Sequence, residues 1–130
     1  MSGFAPKAYL NGDFVDMDKA SLPLTDRGLL FGDSVYEVVP AYRGRLFRPQ
    51  HHLDRLDRSL AAIRMSNPLS HAQWLAVLQQ LADQDTNADQ QIYLQVTRGA
   101  YPERRHAIPA EVKPNVFAFT YLIPDPKPAM

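Results

Sequence analysis

From residue 49 to residue 82 the apolar side chains recur at intervals of three and four, first as Leu53, Leu56, Leu60 and Ile63, then as Trp74, Leu75, Leu78, Leu81 and Ala82. That spacing puts each set on one stripe of an α-helix, so the middle of the chain reads as two amphipathic helices in tandem. Pro49 suits the first turn of the first helix, which should end before Asn67-Pro68. Ser70 with Gln73 three residues later is a capping-box pattern that opens the second. Each stripe has to be buried against something, and the segments on either side are strands.

In front, Ala8, Tyr9 and Leu10 run into Asn11-Gly12 and then Phe14-Val15, a type I′ hairpin signal. The run from Ser34 to Tyr42 is β-branched and aromatic; Pro40 cannot donate to a ladder, so this strand should lie at an edge or bend there. Gly44 turns the chain back toward Leu46-Phe47. After a polar link from Asp83 to Gln90, QIYLQVTRG sets Ile92, Leu94, Val96 and Arg98 on one face before Gly99, and Val116 to Ile123 is a further apolar strand. Residues 100–114 carry three prolines and a Glu-Arg-Arg-His cluster, which makes a long loop of the kind that more often serves function than connection. The end, IPDPKPAM, reads as an extended linker. Strands flanking a helical pair, with hairpins at the front, indicate an α+β fold rather than a doubly wound βαβ series.

At 130 residues the chain has room for one domain. Fourteen basic residues balance fourteen acidic ones, so no global field draws it to nucleic acid or an anionic membrane, and any anion site has to be local. The absence of cysteine excludes a disulfide framework, a thiol nucleophile and a thiolate metal site. No apolar run approaches eighteen residues and no leader stands at Met1, so a soluble cytoplasmic protein without nucleic-acid or membrane partners is expected.

Few residues qualify for chemistry. Asp26-Arg27-Gly28 and Phe31-Gly32-Asp33 place two glycines and two acids before the strand that bears Tyr36 and Glu37; a tight turn with positive-φ glycines and capping acids accounts for them. His51, His52, Arg55 and Arg58 lie at the start of the first helix, the arginines off its apolar stripe, and form either a solvated basic face or an anion pocket. Arg104 and His106, two apart, share one side of an extended backbone and can clamp a carboxylate, although exposed loop arginines are usually only solvated. No His, Asp and Glu grouping has metal-ligand spacing, and no Walker loop, Gly-x-Gly-x-x-Gly or Gly-x-Ser-x-Gly occurs.

Taken in order, DRGLLFGDSVYEVV, FRPQHHLDRLDRS, IYLQVTRG and RRHAIP resemble the N-terminal part of the fold-type IV pyridoxal-phosphate enzymes, and within them the D-amino-acid aminotransferases, from about Tyr9 to Tyr121. The resemblance implies a small N-terminal domain over residues 1–122, mainly an antiparallel sheet packed with the two tandem helices. Residues 123–130 would begin an interdomain linker, and the C-terminal domain is absent from this chain. It implies that Arg55 contacts the phosphate of pyridoxal 5′-phosphate. It further implies that Tyr36, with Arg104 and His106 of the other subunit of a homodimer, holds the substrate α-carboxylate and so selects D- over L-amino acids. In such enzymes a lysine binds the cofactor as a Schiff base. None of Lys7, Lys19, Lys113 or Lys127 matches its motif, so that lysine is expected beyond Met130 and the chain is expected to be inactive alone. The amino group would move between D-amino acids such as D-alanine and 2-oxo acids. Branched-chain amino acid transamination and aminodeoxychorismate cleavage on the same scaffold are the alternatives, and a non-catalytic dimerising domain is the alternative of another kind.

Overall fold

A computed structural model describes residues 3–124. Strands β1 (Lys7–Leu10), β2 (Asp13–Asp16), β3 (Ser34–Tyr42), β4 (Arg45–Leu46), β5 (Asp89–Thr97) and β6 (Asn115–Leu122) form one antiparallel sheet in the order β2-β1-β6-β5-β3-β4. Helices α2 (Pro49–Ala62) and α3 (His71–Ala82) follow one another between β4 and β5, and a short helix α1 (Arg27–Phe31) precedes β3. Most of the Pro-rich tail, residues 125–130, lies outside the described residues.

The local signals explain the turns. Leu10 and Asp13 pair across Asn11-Gly12, whose φ angles of 49° and 102° are those a type I′ turn demands, and Arg43-Gly44 repeats the device between Tyr42 and Arg45. Ser70 accepts from Gln73 N while the Gln73 side chain accepts from Ser70 N, completing the capping box of α3. Pro40 sits where its missing N–H costs nothing. Its carbonyl points outward to accept from Phe47 N, so its nitrogen also faces away from β5, and β4 covers β3 only at Ala41 and Tyr42.

Both long helices pack on one face of the sheet. Leu53, Leu56 and Leu60 of α2 and Trp74, Leu78 and Leu81 of α3 are wholly buried against Val39, Ala41, Ile92, Leu94, Val96 and Ala118. Each such aliphatic side chain contributes about 1.5–3 kcal/mol of transfer free energy, so this layer dominates the stability of the domain. Ile63, expected on the same stripe, is the C-cap of α2 and only half-buried, because the helix ends one residue before it. The strand β5 begins earlier than expected, at Asp89, since Gln90 is drawn into the core by hydrogen bonds to the carbonyls of Ala82 and Asp85.

The opposite face of the sheet carries an aromatic row. Tyr36 stacks on Tyr93 at 5.3 Å, Tyr93 on Phe119 at 5.1 Å, and Phe119 meets Phe4 edge-on at 5.7 Å. No helix among the described residues is long and apolar enough to cross a membrane.

Candidate functional site

Glu37 is the unusual residue of β3. Alternation along the strand places it with Val35, Val39 and Ala41 on the helix-covered face, where a carboxylate needs partners. α2 supplies them. Arg55 donates from Nε to Glu37 Oε2 and from Nη2 to Oε1, both at 2.8 Å, and His52 Nδ1 lies 2.9 Å from Oε1. Burial pushes the Glu37 carboxyl up, but the hydrogen bonds and charges of Arg55 and His52 outweigh it and hold the group below the usual glutamate range. The spacing of three between His52 and Arg55 puts both on the side of α2 that meets β3. The Arg55 side chain remains half exposed, with no partner beyond Glu37 among the described residues. His51 and Arg58 face solvent, so the basic cluster of α2 divides into a paired and a solvated part.

A second constellation surrounds α1. Residues 26–33, expected as a tight turn, form a one-turn helix. Asp26 caps it by accepting from Gly28 N and Leu29 N, and Gly32 closes it at φ 65°. Gly28 is helical rather than at positive φ. Glycine stands there because a Cβ would come within 2.7 Å of Thr97. Arg27, 4% exposed, donates from Nε to Asp33 Oδ2 and from Nη1 and Nη2 to the carbonyls of Arg105 and His106. Arg98 shares Asp33 Oδ2 at 2.7 Å and donates to Ile63 O. Asp33 is thus shared by two buried guanidinium groups. Burial raises its carboxyl pKa, and Arg98 and Arg27 bring it below the ordinary aspartate value.

Arg104 and His106 meet at Phe31. The Arg104 guanidinium carbon lies 5.2 Å from the centre of the Phe31 ring, and the His106 ring centre lies 5.0 Å from it. The loop 100–114 therefore brings these two side chains to one aromatic platform, as their spacing suggested. Tyr36 is elsewhere: on the open face of β3, stacked on Tyr93, it makes no hydrogen bond or ring contact with Arg104 or His106 among the described residues. Nor does Arg55 reach Tyr36, because its partner Glu37 faces the other side of the strand. An apolar cleft of about 330 Å³ between β1, β6 and residues 17–29 contains none of the four. No group of three or more His, Asp and Glu that could hold a metal occurs among the described residues.

The residues that sequence reasoning left without a role are Glu37, Arg27 and Arg98, and Asp33, expected to cap neighbouring backbone, instead accepts from Arg27 and Arg98. The signal for two of them was readable: Glu37 and Arg98 continue apolar alternations onto a buried face, and a charge there implies a buried counter-charge. Nothing in the spacing points Arg27 at a loop some eighty residues away.

The D-alanine aminotransferase of Staphylococcus haemolyticus is 37% identical to this chain over 114 residues, which cover 87% of the chain and 40% of that protein. That of Bacillus licheniformis is 38% identical over 121 residues, covering 93% and 42%. The chain spans about two fifths of the length of these relatives. Among solved structures, a branched-chain amino acid aminotransferase from Escherichia coli superposes with a TM-score of 0.81 at 20% identity, covering 92% of this chain and 41% of that one. A T.th. branched-chain amino acid aminotransferase complexed with N-(5′-phosphopyridoxyl)-L-glutamate does so with a TM-score of 0.80 at 21% identity, covering 92% and 41%. These likenesses carry the fold: a six-stranded antiparallel sheet backed by two helices is the N-terminal domain architecture of fold-type IV aminotransferases. The family model for amino-transferase class IV matches residues 34–130, three quarters of the sequence, and the chain belongs to that family.

Proposed function

We propose that this chain is the N-terminal part of a pyridoxal-phosphate-dependent aminotransferase that moves an amino group between D-amino acids, D-alanine among them, and 2-oxo acids. The observation that carries the reading is the joint placement of Arg104 and His106 on Phe31, in a chain whose curated relatives are D-alanine aminotransferases. A planar guanidinium offers paired donors to a carboxylate, and an imidazole two residues away adds a third, which fixes the substrate and with it the face it presents.

Arg55 would hold the cofactor phosphate. The fit is good at one edge of the guanidinium: Nε and Nη2 are committed to Glu37, and the exposed remainder can donate to a phosphate oxygen. Glu37 keeps the arm from swinging away, yet it also neutralises most of the charge, so this chain alone should bind phosphate weakly. Bound pyridoxal phosphate supplies the electron sink that acidifies the substrate α-carbon. Moving the proton at that carbon would fall to a lysine outside this chain, since none of Lys7, Lys19, Lys113 or Lys127 matches the cofactor-binding motif. Residues 123–130 would then be the start of a linker to the domain that holds it.

A homodimer belongs to the same reading. Tyr36 makes no hydrogen bond or ring contact with Arg104 or His106 within one chain among the described residues, which agrees with a carboxylate site completed by the loop of a second subunit. A cytoplasmic location agrees with the cysteine-free composition.

The test uses two samples of the full-length protein: substrate profiling of the active enzyme with pyridoxal phosphate, and intact mass analysis of a separate portion after borohydride reduction. One phosphopyridoxyl adduct on a lysine beyond Met130, D-alanine-dependent pyruvate release, and loss of that release in Arg104→Ala are expected. Turnover of D-alanine that survives Arg104→Ala overturns the carboxylate assignment, and D-alanine-dependent pyruvate release by the 130-residue chain alone overturns the assignment of the lysine.

A further inference from the structure

We infer that Arg27, fixed by Asp33 and backed by Phe31, is the positioning residue of the Arg-x-His loop: it sets where Arg104 and His106 stand. The inference rests on the carboxylate-binding reading of those two residues. The loop 100–114 has no helix or strand of its own, so something outside it must define its course. At its base, Gly99 packs against Lys113 so closely that a Cβ would meet the Lys113 carbonyl oxygen at 1.9 Å, and Arg27 N donates to Gly99 O at 2.8 Å. At its tip, the same residue reaches across with its side chain. Arg27 Nη1 and Nη2 donate to the carbonyls of Arg105 and His106, the two residues that follow Arg104, at 2.7 and 3.3 Å.

A guanidinium suits this task because it grips two neighbouring carbonyls with a planar fork, whereas an ammonium is a point donor. Its own position is over-determined. Nε is tied to Asp33, Asp33 is held by Arg98, and the Arg27 guanidinium carbon also lies 4.8 Å from the centre of the Phe31 ring. Phe31 therefore meets Arg27, Arg104 and His106 at once, and backbone and side chains of the loop are referred to the same short helix. A bare ion pair serving stability would need Asp33 alone; the two loop carbonyls are what the pair does not account for.

Trypsin and steady-state kinetics test this together, because the loop carries its own cleavage sites after Arg104 and Arg105. In the 130-residue chain, Arg27→Gln should speed cutting there about tenfold, with Arg27→Lys between it and the parent and Arg45→Gln unchanged. In the full-length protein, Arg27→Gln should raise KM for the amino donor and the 2-oxo acid about tenfold while kcat changes less than about threefold, again with partial rescue by lysine. Should Arg27→Gln fail to fold, Phe31→Leu takes the ring from beneath Arg27, Arg104 and His106 while keeping the Arg27–Asp33–Arg98 hydrogen bonds, and the same KM rise is expected. Unchanged KM and unchanged cutting in the folded variant overturn the inference. Arg104→Ala, assayed alongside, separates the two claims: if it leaves turnover intact the carboxylate reading fails, while the cutting rates still decide whether Arg27 holds the loop.

Discussion

Arg55 on α2 and Glu37 on β3 form a two-pronged pair, Nε to Oε2 and Nη2 to Oε1, in which the carboxylate is buried and the guanidinium is half in solvent. The asymmetry leaves one edge of the arginine open. A buried acid locks the inner edge of an arginine whose outer edge stays available, and it links the helix that would hold a phosphate to the strand that bears Tyr36.

The pair also sets an acid limit. Glu37 and Asp33 both bind a proton less readily in the folded chain than in the unfolded one, so as the pH falls the unfolded state takes up protons first. Stability from these groups is complete above the ordinary values of 4.5 for Glu37 and 3.8 for Asp33 and drains away below them. Urea midpoints should therefore be level from pH 7 to about 5 and fall beneath that. Glu37→Gln should lower the midpoint at pH 7 and flatten the upper part of the fall, leaving the part nearer 3.8 that belongs to Asp33 together with Asp57 and Asp16, which are also held below the ordinary aspartate value. Parallel acid limbs in parent and variant would remove Glu37 from the account.

What the sequence made legible follows from range. The Asn11-Gly12 turn, the Ser70–Gln73 box and the stripes of α2 and α3 are decided by residues within a turn or two of one another, and all were readable. α1 was not, because five residues carry too little periodicity and its glycine answers to Thr97, seventy residues on. Of the four expected site residues, the common side taken by Arg104 and His106 was visible in their spacing, and the place of Arg55 off the buried stripe in its helical phase. The clasp of Arg27 on the loop and of Glu37 on Arg55 depends on strand order, which no local pattern contains.

Gly99 and Gly12 distinguish strain from collision. Both have positive φ, 110° and 102°, but a Cβ at Gly12 meets nothing within 4 Å, whereas at Gly99 it meets backbone at 1.9 Å. Gly12→Ala should cost about 1 kcal/mol, the strain alone. Gly99→Ala should cost about 2–3 kcal/mol or more, since neither strand end nor loop base can yield cheaply, and it should also raise trypsin cutting after Arg104. Equal urea midpoints for the two variants would mean that the loop base opens without cost.

Asn67 holds the link between α2 and α3. Its side-chain oxygen accepts from Trp74 Nε1 at 2.8 Å and its amide donates to Asp57 Oδ1 at 2.8 Å, while Asp57 Oδ2 meets His71 Nε2. Trp74 is fully buried, so Asn67→Ala leaves its indole N–H without a partner in an apolar layer. A loss of about 1–3 kcal/mol is expected, with a change in the emission of this sole tryptophan. An unshifted spectrum with unchanged stability would show that the indole finds another acceptor.

Thr120 runs the opposite way. It lies fully buried on the helix-covered face of β6, opposite Ile92, and its Oγ1 is the one buried side-chain polar atom without a hydrogen-bond partner among the described residues. An unpaired hydroxyl in such a layer costs about 1–3 kcal/mol in lost hydration, and valine fills nearly the same volume without it. Thr120→Val should therefore stabilise the domain by about 1 kcal/mol, raising the urea midpoint at constant slope. Thr120→Ser, which keeps the hydroxyl and removes a methyl group, should lower it by a similar amount. If valine destabilises as serine does, the hydroxyl has a partner such as a buried water, and the sheet at this point is wetter than its apolar neighbours suggest.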